Sequence, residues 1–152
     1  MCMMLYIGSD NELPVDKEYQ GKEYIIFAGD IPKEYTDIKK HFTKKYQYII
    51  WGSMGCFCGL YFNEVNDIDD IAGREESGRA ILSVIFDYIK EFVVADDCEL
   101  VSCWDGDEGE DCSYKETINI NEFNWKGKFT LCRPRSPQDE CPWNGKHMTV
   151  YK

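Results

Sequence analysis

Two cysteines set among glycines dominate the chemistry this chain could carry. They lie in Gly52-Ser53-Met54-Gly55-Cys56-Phe57-Cys58-Gly59, where the glycines permit backbone geometries that other residues resist. A Cys-x-Cys pair can offer two thiolates to one metal ion from a tight turn. A structural zinc site needs four ligands and usually draws them in pairs two to four residues apart. No Cys-x-x-Cys occurs, so a second pair would have to come from afar. Cys2 on the first strand and Cys103 at the end of a late strand complete the candidate zinc quartet of Cys2, Cys56, Cys58 and Cys103. The competing reading is a glycine-rich bend whose cysteines pack as small apolar groups. A Cys56–Cys58 disulfide is a third option, opposed by its tight ring and by a reducing compartment.

A cysteine nucleophile needs a base within hydrogen-bond reach. His41 and His147 are the two histidines of the chain. His41 precedes the strand that leads to Cys56, which makes it the candidate base of a thiol enzyme. A histidine on a polar helix is more often simply exposed, and nothing supplies a third, orienting residue.

The run Trp104-Asp105-Gly106-Asp107-Glu108-Gly109-Glu110-Asp111 is the second constellation. Against an EF-hand loop, Asp105, Asp107 and the last-position Glu116 fit. The fifth position is Gly109, which has no side-chain ligand, and the obligatory sixth-position glycine is Glu110, so the run is not an EF-hand. Trp104, Asp105, Asp107 and Glu108 are its candidate binding residues, for a cation or a cationic partner. The bland alternative is a solvated turn after a strand. No phosphate loop is present, because Gly52–Gly59 lacks the Lys-Ser/Thr ending. Tyr46, Tyr48, Trp104, Trp125 and Trp143 could mark a binding face, although most rings in an aromatic-rich chain belong to the core.

The elements that must position these groups follow from periodicity. Cys2–Ile7 reads as a strand ending in the turn cluster Gly8-Ser9-Asp10-Asn11, and Glu23–Ala28 as a second strand stopped by Gly29-Asp30. Pro32–Thr43 reads as a short amphipathic helix with a Tyr35, Ile38, Phe42 stripe. Tyr46–Trp51 is aromatic and β-branched, and therefore a strand. Leu60–Phe62 resumes extended character before an acidic loop, Asn63–Gly73. Arg74–Val94 is a long helix. Its apolar arc of Ile81, Leu82, Ile85, Phe86, Ile89, Phe92 and Val93 is wide enough to be buried against a sheet. Glu99–Trp104, Lys128–Arg133 and His147–Tyr151 read as strands. Glu116–Trp125 is a strand followed by a turn or neither, and Pro134–Gly145 a surface loop. The order predicts an α+β domain spanning 1–152: a mixed or mainly antiparallel sheet, the long helix packed on one face, and a second short helix.

With 152 residues, 17 basic and 28 acidic side chains, the formal charge is −11, and 43% of residues are hydrophobic. That composition supports a folded core and opposes nucleic-acid binding, since a negative surface repels phosphate. No stretch has the roughly 20 apolar residues needed to cross a bilayer, and no signal segment is evident, so a cytoplasmic protein with reduced thiols is expected. Eight cysteines would suit four disulfides in a secreted chain; here most should be buried thiols.

Three landmarks together resemble a family of small uncharacterised bacterial proteins of about this length. They are the Met1-Cys2 start running through Leu5-Tyr6-Ile7 to Leu13-Pro14, the Gly-Ser-x-Gly-Cys-x-Cys-Gly stretch from Gly52 to Gly59, and Cys103-Trp104-Asp105-Gly106-Asp107-Glu108. The resemblance implies a shared fold and singles out Cys2, Cys56, Cys58 and Cys103. Phe57 departs from the small residue of the family's pattern, and Cys98, Cys112, Cys132 and Cys141 have no counterpart in it. The expected function is a non-enzymatic binding protein that neutralises a basic protein partner, by analogy with bacterial immunity proteins. A zinc-thiolate protein and a thiol enzyme using Cys56 with His41 are the alternatives.

Overall fold

The computed structural model describes residues 2–62, 74–112, 114–131 and 145–152. The loops expected over Asn63–Gly73 and Pro134–Gly145 fall almost wholly outside these residues, as do Cys132, Cys141 and Trp143. The elements are β1 (Met3–Ser9), β2 (Tyr19–Gln20), β3 (Ile25–Gly29), β4 (Tyr46–Gly52), β5 (Tyr61–Phe62), α1 (Arg74–Phe92), β6 (Asp97–Trp104), β7 (Tyr114–Asn119), β8 (Phe129–Thr130) and β9 (Lys146–Tyr151). Seven strands make one sheet in the order β2-β3-β4-β1-β6-β9-β7, and β5 pairs with β8 in a second, small sheet. Pairing in the large sheet is antiparallel except between β7 and β9, which run parallel. The fold is therefore α+β with a mixed sheet.

β1 runs through the middle of that sheet, and both of its faces are covered. Met3, Leu5 and Ile7 belong to one hydrophobic cluster with Tyr48, Ile50, Leu100, Met148 and Val150, and with Ile81, Leu82, Ile85, Phe86 and Ile89 of α1. The alternate side chain Tyr6 joins Ile49, Val101, Cys103 and Ile38 in a second cluster. Burial on both faces explains why Met3–Ile7 is apolar throughout instead of alternating. α1 ends where Asn11 clamps it: its Nδ2 donates to the Phe92 carbonyl at 3.0 Å, and its Oδ1 accepts from Val94 N–H at 2.8 Å. One side chain thereby satisfies a carbonyl and an amide that the helix end leaves open.

The small sheet meets α1 through aromatic rings. Phe123 packs edge-on against Phe62, Phe86, Phe129 and Trp125. The backbone approach is close enough to demand a glycine in α1. A Cβ placed on Gly78 would lie 2.4 Å from the Tyr61 carbonyl oxygen, which is backbone and cannot swing aside. Alanine is the better helix former by about 1 kcal/mol in open surroundings. Gly78→Ala is nevertheless expected to destabilise by about 2 kcal/mol, because overlap outweighs propensity. A denaturant midpoint that rises in this variant would show that α1 and β5 are not so closely apposed.

Two segments take a more specific form than the sequence gives them. The short helix expected over Pro32–Thr43 is a 3₁₀ helix, Lys33–His41. Pro32 precedes it without a side-chain cap, and the expected stripe of Tyr35, Ile38 and Phe42 packs in the second cluster. His41 is half-buried rather than exposed on a polar face. The ambiguous stretch resolves into β7 followed by a single 3₁₀ turn, Ile120–Glu122, with Asn119 Oδ1 accepting from Asn121 N–H at 2.9 Å.

Candidate functional site

The sheet order decides which cysteines meet. β1 lies between β4 and β6, so the loop after β4 and the end of β6 reach β1 from opposite edges. Met3 N–H donates to Cys58 Sγ at 3.1 Å, and Phe57 N–H donates to the Met3 carbonyl at 3.1 Å. On the far edge, Cys103 pairs with Met4 and lies buried in the cluster with Tyr6. The expected quartet is therefore not assembled: Cys2, Cys56 and Cys58 gather, and Cys103 does not join them. Among the described residues no group of three or more His, Cys, Asp or Glu side chains is arranged to hold a metal ion.

The gathered thiols are unequal. Gly55, with φ +81°, turns the chain so that the Cys56 sulfur faces several donors. Burial pushes the Cys56 thiol up. Donation from the Cys58 N–H, the Cys58 and Cys2 thiols and the Met3 N–H outweighs that and leaves it below the ordinary thiol value. Cys58 is pushed up, by burial first and by its donation to Cys56 second. Cys98 is pushed up to about 12 by burial, and burial with nearby Glu108 raises Cys103 as well. These two are inert apolar fillers.

The acidic loop is anchored from below. Glu108, only 4% exposed, turns inward, accepting from Tyr6 Oη at 3.1 Å and from Gly106 N–H at 3.1 Å. His41 Nε2–H donates to the Glu108 carbonyl at 3.1 Å, and Lys40 Nζ donates to the Gly109 carbonyl. Glu108 is thus a structural anchor rather than a surface ligand. Trp104 is half-buried against the main core, Asp107 is half-buried, and Asp105, Glu110 and Asp111 face solvent. Of the other rings expected at a binding face, Tyr48 is core and accepts from Leu13 N–H. Trp125 sits at the exposed margin. His41 bonds to this loop and not to Cys56, so the Cys56–His41 couple is not supported by any contact of either residue.

Burial holds the His41 imidazole below its ordinary pKa of 6.5, against the raising effect of its bond to the Glu108 carbonyl. The unfolded chain then binds more protons between the two values, and stability falls as pH drops from about 6.5 through the lowered folded value. His41→Gln, which can keep a donor, is expected to flatten that part of the stability–pH curve. An unchanged slope in urea titrations from pH 7 to 5 would count against it.

A third feature escaped the sequence reading. Thr43, Glu99, Lys115, Glu116, Thr117, His147 and Thr149 line an open polar groove of about 410 Å³. At its base Glu99, 5% exposed, accepts from Thr43 N–H at 2.9 Å, Thr43 Oγ1 at 2.7 Å and Lys44 N–H at 3.3 Å. His147 Nε2 lies 3.5 Å from Glu99 Oε1. The available signal was alternation: Glu99 shares its side of β6 with Val101 and Cys103, both buried, so a carboxylate there had to find donors.

No family model, curated protein or solved structure matches this chain. Function must therefore be argued from the three constellations alone. No helix among the described residues is long and apolar enough to cross a membrane.

Proposed function

We propose that the chain is a non-enzymatic cytoplasmic binding protein that docks a basic protein partner through the surface formed by the acidic loop and the adjoining 3₁₀ helix. The observation that carries this reading is the anchoring of the loop by buried Glu108, which presents Asp105, Glu110 and Asp111 to solvent at one place. Exposed Glu34 and Asp37 of the 3₁₀ helix add to them, and Asp37 approaches Gly109 of the loop. A pre-positioned acidic surface spares the ordering cost of binding, and the net charge of −11 steers a cationic partner toward it. In the same reading α1 roofs the opposite face of the sheet, which leaves the acidic side free. Membership in the small bacterial family singled out by the Gly-Cys-x-Cys-Gly stretch and the Cys-Trp-x-Gly-Asp-Glu run belongs to this proposal.

The experiment is capture of partners on the immobilised full chain at low ionic strength. A basic protein should be retained and then released by salt, because exposed charges separated by more than about 10 Å are screened at 0.1 M. The combined substitution Asp105→Asn, Glu110→Gln, Asp111→Asn should lose it. Retention that ignores both salt and the substitutions, or no retained protein at all, rejects the reading.

A further inference from the structure

We infer that the polar groove over β9 and β7 binds a phosphate group, with the Lys115 ammonium and the Thr117 and Thr149 hydroxyls as its donors. The register fixes which residues meet. Thr149 pairs with Glu99 on one side and Thr117 on the other, and His147 pairs with Val101 and Lys115. Paired residues on neighbouring strands share a face, with the strands about 4.8 Å apart, and residues two apart on one strand share it too. Glu99, Thr149 and Thr117 therefore make one row, and Val101, His147 and Lys115 the next. Both rows lie on the face away from α1, since Leu100, Ile118, Met148 and Val150 alternate into the cluster with that helix. The second cluster, with Ile38 of the 3₁₀ helix, covers this face as far as Val101. Beyond it Lys115 and Thr117 are exposed and His147 and Thr149 half-buried, so the two rows form the floor of a groove of about 410 Å³.

The carboxylates of the groove are already used. Glu99 Oε2 accepts from the Thr43 and Lys44 amides and Oε1 from Thr43 Oγ1, with His147 Nε2 3.5 Å from Oε1. Glu116 is ion-paired with Lys146. Among the described residues Lys115 makes no ion pair, so it leaves an unmatched positive charge in the groove. Three donors set at the corners of a triangle suit a tetrahedral oxyanion, which offers three oxygens to one side where a carboxylate offers two. The ammonium adds a charge-assisted bond to the two neutral ones. The site uses none of the residues of the acidic surface, and its test stands apart from the test of that surface.

The test is titration of the full chain, isotope-labelled for amide NMR, with sodium phosphate at neutral pH against sodium chloride of the same ionic strength. The Lys115, Thr117 and Thr149 amides should move along a saturating curve in phosphate and stay nearly still in chloride. Lys115→Met should weaken phosphate by about tenfold, since it removes the charge-assisted bond, and Lys115→Arg should keep most of the affinity. Lys115 is exposed, so neither change disturbs packing. Thr117→Val combined with Thr149→Val should weaken binding by a similar factor. Glycerol phosphate set beside glycerol separates the two sources of the group. Saturation by the ester assigns a phosphate monoester, saturation by inorganic phosphate alone assigns the free ion, and either upholds the inference. It is overturned if the shifts are linear and equal in the two salts, or if Lys115→Met binds phosphate as the parent does. Saturation of the same amides by magnesium chloride without phosphate would also overturn it, because the carboxylates would then be the receiving groups.

Discussion

Phe86→Ala is expected to lower the unfolding free energy by about 3–5 kcal/mol, enough to consume much of the stability of a typical domain. Phe86 is 1% exposed at the centre of α1. Its ring meets Phe123 edge-on at 5.2 Å and Trp125 at 5.6 Å, and Phe123 in turn packs on Phe62 and Phe129 of the small sheet. Truncation removes the transfer free energy of the ring and leaves a hole that rigid neighbours cannot refill. The loss should therefore exceed that of a simple area term. Arg79 bridges the same cluster, with its guanidinium 4.5 Å over the Phe62 ring and Nε donating to the Trp125 carbonyl at 2.9 Å. Phe86→Leu, which keeps most of the apolar volume, should cost under about 1.5 kcal/mol. The measurement is equilibrium unfolding in urea with the slope compared between variants. A loss below about 1 kcal/mol for the alanine variant would mean that the ring network does not tie α1 to β5 and β8.

How far the fold was legible follows from particular segments. α1 was legible because its apolar arc repeats over more than three turns, and β4 because Tyr46–Trp51 has few other ways to pack. The strands β2 and β5 consist of two residues each, too short for any period to declare itself. β7 carries Tyr114, Lys115, Glu116 and Thr117 at the sheet edge, with solvent on much of both sides, so hydropathy conceals it. The short helix was legible from its Tyr35, Ile38, Phe42 stripe, but its 3₁₀ form was not, because Tyr35 and Ile38 satisfy both periods.

The candidate sites show the same division. Convergence of Cys56 and Cys58 was local and visible in the glycines around them. The position of Cys103 depended on strand pairing, which no local pattern encodes: opposite Met4 it packs in the Tyr6 cluster, whereas Cys58 packs on the other cluster. Glu108 carries the same lesson in reverse. Asp105, Asp107 and Glu108 were expected to bind together, yet Glu108 accepts from the Tyr6 hydroxyl and ties the loop after β6 to β1.

Removing the Glu99 carboxylate is the other change expected to be severe, at about 3 kcal/mol for Glu99→Ala. The group is held by Thr43 N–H, Thr43 Oγ1 and Lys44 N–H, and it joins β6 to the chain that leaves the 3₁₀ helix. Alanine leaves two backbone amides without their acceptor. Glu99→Gln can keep one oxygen on the two amides and turn its NH₂ toward the Thr43 hydroxyl, which then accepts. Its cost should be well below that of alanine. Thr43→Val loses only the hydroxyl and should cost about 1 kcal/mol. A double-mutant cycle between Glu99→Gln and Thr43→Val should show coupling, since the hydroxyl's acceptor is already altered in the first variant. The alternative is that Glu99 serves a ligand in the groove and little else. In that case Glu99→Ala would unfold at the same denaturant concentration as the parent, and the Thr43 and Lys44 amides would exchange with solvent at unchanged rates. The expected result is the opposite: faster exchange at those two amides, and a loss that persists in high salt because the group is buried. The groove then keeps Lys115 and the hydroxyls of Thr117 and Thr149 to meet anything that enters it, over a carboxylate whose lone pairs the fold has already used.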